Sequence, residues 1–194
     1  LINFASSEKQ PVLMAVYFKE KAVLKNTEEA WMQAGDVFFK TFRFAESNQH
    51  VMIEEAVQSF EKVLAMNPAN LKAKTALGVC YVEGASQLGE MPMKGIGLLM
   101  EVLEEDSTNI DALINLGYFS IQSTQYDKAL ERFNRVLEID PENAEAFLYL
   151  TDLYVQMGEI EKGISYLEKY KSFQKDPLVI EQVEAYIEEL KIKK

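Results

Sequence analysis

Apolar and polar positions alternate with a helical period through most of the chain. Segments carry apolar residues at i, i+3, i+4 and i+7, and short polar turns separate one segment from the next. One segment opens with Trp31, Ala34, Gly35 and Phe38, and its partner carries Ala56, Phe60 and Val63 ahead of Asn67-Pro68. Such segments are too short to be stable alone, so the pattern predicts helices that pair. Asn67-Pro68 and Asp140-Pro141 mark stops, because the residue before proline avoids the helical region.

The pattern also repeats. Leu116-Gly117, Tyr126, Ala129, Phe133 and Val136 recur as Leu150-Thr151, Ile160, Gly163, Leu167 and Tyr170, each pair 34 residues apart. Leu77-Gly78 precede their counterparts by 39 residues, and Gly35 precedes Gly78 by 43, so two earlier copies carry insertions of five and nine. Both insertions fall between the first and second helices. Gly35 to Ala56 is 21 residues and Gly78 to Gly95 is 17, where later copies have 12. Small residues at Gly35, Gly78, Gly117, Ala56, Gly95, Ala129 and Gly163 let paired axes approach, and Phe60, Leu99, Phe133 and Leu167 fill the next layer.

On these residues the chain resembles the tetratricopeptide repeat (TPR) family, whose pattern of Trp, Leu-Gly, Tyr, Ala, Phe, Ala and Pro is well kept in 110–143 and recognisable in 28–70, 71–109 and 144–176. Departures are Thr151 for the packing glycine, Ser107 for the terminating proline and Lys74 at the first bulky position. The resemblance implies an all-α, right-handed α-α superhelix of about ten helices, forming one domain over 1–194. A partial repeat at 8–25, with Val12, Ala15, Val16, Tyr17 and Val23, is expected to cap the first full one. Asp176-Pro177 opens a second cap over 177–194, with Asp176 as N-cap and Leu178, Ile180, Val183, Ile187 and Leu190 as its apolar stripe.

Composition narrows the function. Twenty Lys and Arg against 31 Asp and Glu give a net charge of −11, which argues against nucleic acid, because phosphate binding draws on clustered cations. No apolar run approaches the roughly 20 residues of a membrane helix, so no direct membrane insertion by this segment is expected. Leu1 rather than methionine at the start leads us to expect a trimmed N-terminus that could have carried an anchor or signal. Met91-Pro92-Met93-Lys94-Gly95-Ile96 is similar to a stretch in bacterial TPR proteins anchored by an N-terminal membrane helix. Localisation stays open between the cytoplasm and a membrane-anchored or periplasmic setting.

Catalysis has little to work with. His50 and Cys80 are the sole histidine and thiol and lie in different repeats, with Cys80 read as a packed hydrophobe and His50 as a polar turn residue. Glu104-Glu105-Asp106 and Glu188-Glu189 read as solvated helix faces, and Gly95-Ile96-Gly97 as close helix packing rather than a phosphate loop. No catalytic residue, metal or cofactor is expected.

In TPR solenoids the first helices line the concave face, and the resemblance implies four inward rows: Glu29, Met32, Asp36, Phe39 and Lys40; Lys72, Thr75, Val79, Val82 and Glu83; Asp111, Ile114, Tyr118, Ile121 and Gln122; Glu145, Leu148, Asp152, Val155 and Gln156. Apolar residues recur in every row. Six acids face only Lys40 and Lys72, which points to a protein or peptide of basic and apolar character. Family members that capture chaperone C-termini use a basic carboxylate clamp, but Met32, Asp36, Ala76, Asp111 and Asn115 occupy those places, so that activity is expected to be absent. The insertions at 42–50 and 84–93 are expected to form an adjoining rim with Arg43, Phe44, His50, Leu88, Met91 and Met93. The leading expectation is a non-enzymatic scaffold for protein or peptide binding. The alternative is an assembly module that forms a homo-oligomer through the groove or an end helix.

Overall fold

A computed structural model describes residues 9–192. The helices are α1 (Lys9–Lys25), α2 (Glu28–Phe44), α3 (Gln49–Met66), α4 (Leu71–Glu83), α5 (Ala85–Leu88), α6 (Pro92–Glu105), α7 (Ile110–Gln122), α8 (Tyr126–Ile139), α9 (Ala144–Gln156), α10 (Ile160–Phe173) and α11 (Pro177–Ile192). The described residues contain no strand, as the periodicity predicts. The single addition to the ten expected helices is α5, one turn inside the second insertion. Glu8 of the first cap and Lys193 and Lys194 of the last lie outside the described residues.

Local chemistry sets the helix starts. Thr27, Asn70, Asn109 and Asn143 each accept a hydrogen bond from the backbone N–H three residues on, which satisfies one orphan donor at the start of α2, α4, α7 and α9. Asp176 accepts from the Leu178 N–H, two residues on, at 2.9 Å, so it caps α11 as expected.

The chain divides into two compact units, one ending at Glu105 and one beginning at Asp106. In the first, α2 pairs with α3 and α4 with α6, while α1 lays Ala15 and Ala22 against the α2 side of the core. In the second, α7 pairs with α8 and α9 with α10, and α11 buries Val183, Ile187 and Leu190 beside Leu167. Leu178, the first member of the expected stripe, is exposed instead, so the buried face of α11 starts later.

Each pair interlocks a large side chain with a bare stretch of backbone. A Cβ on Gly35 would stand 2.5 Å from the Phe60 ring, and one on Gly117 would stand 2.7 Å from the Phe133 ring. Both rings are fully buried and have nowhere to go. In the α4–α6 pair the backbones themselves meet: a Cβ on Gly95 would overlap the Gly78 carbonyl oxygen and the Val82 amide nitrogen. Thr151, larger than the glycine at that position in other copies, is accommodated by Gly163 opposite, and its hydroxyl donates to the Phe147 carbonyl at 2.9 Å. Lys74, which replaces the first bulky residue, pairs with Glu105 and Glu101 on α6.

The two insertions are absorbed differently. The α2 and α3 helices have 17 and 18 residues where α7 and α8 have 13 and 14, so the first insertion gives about one extra turn to each helix and one residue to the turn. The second insertion leaves both helices at ordinary length and forms a loop carrying α5.

Gly95 and Gly97 separate packing from permissiveness. Gly97 is exposed, with nothing within 4 Å of an added Cβ, so the sequence expectation that close packing explains both glycines holds for Gly95 only. Gly95→Ala is expected to destabilise the fold by about 1–3 kcal/mol through overpacking. Gly97→Ala should stabilise it by about 0.5–1 kcal/mol, because alanine loses less freedom in a helix. Urea denaturation of the two variants checks the opposite signs.

Candidate protein-interaction surfaces

The rows expected on the first helices separate into buried and accessible positions. Thr75, Val79 and Ile114 are buried, and Val82 turns toward the Gly95 backbone. Val155 does the same at Gly163. The helical period places these residues on the inward row, but closeness of the paired axes draws them into the helix–helix seam.

In the first unit the accessible apolar side chains are Met32 and Phe39, both half-buried, with exposed Asp36 and Lys40 beside them. Partial withdrawal from water pushes the Asp36 carboxyl up, and the positive charge of Lys72 on α4 offsets part of that shift. Phe39 is not bare. Its ring stacks on Phe42 at 6.0 Å, and the Arg43 guanidinium sits 4.5 Å from its centroid. Arg43 in turn donates from Nε to Glu83 Oε2 at 2.8 Å and from Nη2 to Oε1 at 2.5 Å. Arg43, expected in the rim, and Glu83, expected in a row, are thus one cluster spanning α2 and α4.

The two insertions adjoin within this unit. His50 Nδ1 lies 2.7 Å from the Gln87 carbonyl oxygen, and Gln87 Nε2 donates to Gln49 Oε1 at 3.3 Å. His50 Nε2 is 3.3 Å from Glu54. Leu88 is half-buried against the core of the unit, whereas Phe44, Met91 and Met93 are exposed.

In the second unit Tyr118 and Ile121 are half-buried on α7, Leu148 is exposed on α9, and Asp111, Gln122 and Asp152 are exposed around them. Burial raises the Asp152 carboxyl, as it does Asp36 at the matching position of the first unit. Tyr118 stands 5.8 Å from Tyr149, whose ring stacks on buried Phe133 at 5.0 Å. This aromatic seam fixes Tyr118 from below and leaves its outer part to solvent.

Among the described residues no group of three His, Cys, Asp or Glu could hold a metal ion. Cys80 is buried, and burial pushes its thiol far above the ordinary range, which removes it as a nucleophile. No described helix is long and apolar enough to cross a membrane.

Sequence reasoning missed a second kind of surface. A cleft of about 550 Å³ in the second unit lies among α8, α9 and α10, with Phe147, Tyr166 and Phe173 on its walls. Its residues come from both helices of a repeat and from the preceding second helix, so no single helical stripe announces it. The signal that could have found it is the run of aromatics at Phe147, Tyr166 and Phe173.

Comparison with known proteins places this architecture. Residues 120–180 match the tetratricopeptide repeat family model. Hsp70-Hsp90 organizing protein 1 of Glycine max is 23% identical over 188 residues, covering 97% of this chain and 30% of its own length. The chain therefore spans less than a third of that relative. A TPR repeat-containing protein of Methanocaldococcus jannaschii is 36% identical over 77 residues, 39% of this chain and 13% of the relative. Among solved structures, YrrB, described as a TPR protein with an unusual peptide-binding site, is similar with a TM-score of 0.57 and 23% identity, covering 95% of this chain and 88% of that one. Pseudomonas aeruginosa pilF gives 0.62 and 22%, covering 84% and 69%. These two structures share the helical-repeat fold, and over residues 120–180 the chain is similar to the tetratricopeptide repeat family, in register with the repeats of its sequence.

Proposed function

We propose that this chain is a non-catalytic scaffold that binds a protein or peptide segment through the first-helix surfaces of its repeats, with the insertion rim beside them. The observation that carries this reading is the pairing, in each unit, of half-buried apolar side chains with surrounding carboxylates: Met32 and Phe39 with Asp36, and Tyr118 and Ile121 with Asp111 and Asp152. Anchors already held by neighbours lose little freedom on binding. The favoured ligand is basic and apolar. Similarity to Hsp70-Hsp90 organizing proteins and to a TPR structure described by its peptide-binding site supports a binding role. Chaperone binding is not carried over, because Asp36 and Asp111 would repel a terminal carboxylate.

A second reading rests on α1. Leu13 is 65% exposed and Leu24 85%, and Val16 and Tyr17 are exposed on the same 17-residue helix. A helix apolar around most of its circumference is ordinarily covered, which favours self-association through this end helix.

Selection of displayed peptides against the chain tests the first reading. Enriched sequences should combine basic and apolar residues, and Phe39→Ala together with Tyr118→Ala should weaken them by about 2 kcal/mol or more. Unchanged affinity would remove the first-helix assignment. The association rate should fall as salt rises, since steering by carboxylates is screened beyond about 8 Å at physiological ionic strength.

Light scattering over a concentration series tests the second reading. Mass should rise with concentration, and Leu13→Glu with Leu24→Glu should hold the chain monomeric. A monomer at every concentration would exclude self-association through α1.

A further inference from the structure

The cleft among α8, α9 and α10 shares no side chain with the first-helix rows, and its chemistry differs from theirs. Phe147 is buried at its base, with the Tyr166 ring centroid 6.2 Å away and the Phe173 ring centroid 5.8 Å away. Leu137 of α8 completes the apolar lining, and Phe173 remains 40% exposed although it ends a helix packed in the repeat. A volume of about 550 Å³ falls within the roughly 300–1,000 Å³ of sites that take small ligands or single side chains.

The polar groups at the edge define what would enter. Lys169 Nζ lies 5.0 Å from the centroid of the Tyr166 ring and has no carboxylate partner among the described residues. Glu138, the acid of the cleft, is held by Arg135 at 2.7 Å, so the unbalanced charge at the edge is positive. Asn134 accepts from the Tyr166 hydroxyl at 3.4 Å and keeps its amide N–H groups for another acceptor. Aromatic walls, one unpaired cation and a spare amide donor occur together here on a chain whose net charge is −11.

We propose that this cleft is a second peptide-binding site, which takes a bulky apolar or aromatic side chain flanked by a carboxylate. The side chain enters between Tyr166 and Phe173 above Phe147, the carboxylate pairs with Lys169, and a ligand carbonyl accepts from Asn134. This site does not depend on the first-helix reading, and its ligand preference is opposite in charge.

Two capped peptides test it, acetyl-Gly-Asp-Phe-Asp-Gly-amide and its counterpart with lysine in place of aspartate, each titrated into the isotope-labelled full chain and followed by two-dimensional NMR. The acidic peptide should give saturable shifts confined to α8, the start of α9 and α10, and those cleft resonances should report up to about fivefold tighter binding than they do for the basic one, as a partly exposed ion pair allows. Lys169→Glu should abolish that preference, and Phe173→Ala should weaken the acidic peptide by about tenfold. Lys169 is exposed, so its variant stays informative if Phe173→Ala fails to fold. Phe39→Ala with Tyr118→Ala should leave the acidic peptide's affinity unchanged, and its loss there would move the binding to the first-helix surfaces and overturn the proposal. Equal affinity for the two peptides at the cleft resonances, or shifts by the acidic peptide centred outside the cleft, would overturn it as well.

Discussion

A large side chain set against bare backbone holds each helix pair together. Phe60 against Gly35 and Phe133 against Gly117 are the simplest cases, and burying such a ring contributes on the order of 1.5–3 kcal/mol. The α4–α6 pair reaches the same closeness with Gly78 facing Gly95, and Leu99 fills the layer beside them. In the α9–α10 pair the roles shift, since Thr151 needs Gly163 opposite. Because so few residues fix the spacing of a pair, the outer faces are free to carry other chemistry. That freedom lets Lys74 replace a bulky core residue and close an ion pair with Glu105 and Glu101 instead.

The insertions show how the same constraint shapes the surfaces. Adding four residues to a helix adds close to one turn, so the buried face of α2 stays aligned while its end moves outward. Thr41 to Phe44 form that added turn when α2 is measured against α7. Arg43 lies in it. Without the extra turn no guanidinium would reach Glu83 or cover Phe39, and the first unit would present a bare ring beside an unpaired carboxylate. The second insertion adds no turn to either helix, and its loop is tied back by the His50 and Gln49 contacts to Gln87.

The helix pairs, their breaks and the place of both insertions were legible because each follows from spacing along the chain. Gly35, Gly78 and Gly117 announce close axes, and Asn67-Pro68 and Asp140-Pro141 announce stops. Side-chain direction at half-buried positions was less legible. Val82 and Val155 share the period of the exposed row, and only the distance between paired backbones decides that they turn inward. Contacts that join residues far apart were not legible at all: Arg43 and Glu83 are 40 residues apart, and the cleft walls come from three helices. The short α5 was hidden as well, because a single turn carries no periodicity.

Charge is distributed by the same packing. Lys19, Lys74, Lys94, Lys162, Lys171 and Lys191 each meet a carboxylate of this chain, as do Arg43 and Arg135. Pairs of this exposed kind stabilise the fold by only about 0–1 kcal/mol each. Their larger consequence lies outside the fold, because every such pair removes a cation from those that a partner could meet. With 31 acids and 20 bases in the sequence, the field beyond the surface is then set mainly by carboxylates, and a cation outside these pairs changes its sign locally. Lys169 is one such cation, beside an aromatic cleft, whereas Lys72 acts on Asp36 and so softens the acidic first-helix surface. Under the proposed reading, two apolar surfaces of one small chain would select different ligands through the local fate of individual lysines, even though both rest on the same ring-and-backbone packing.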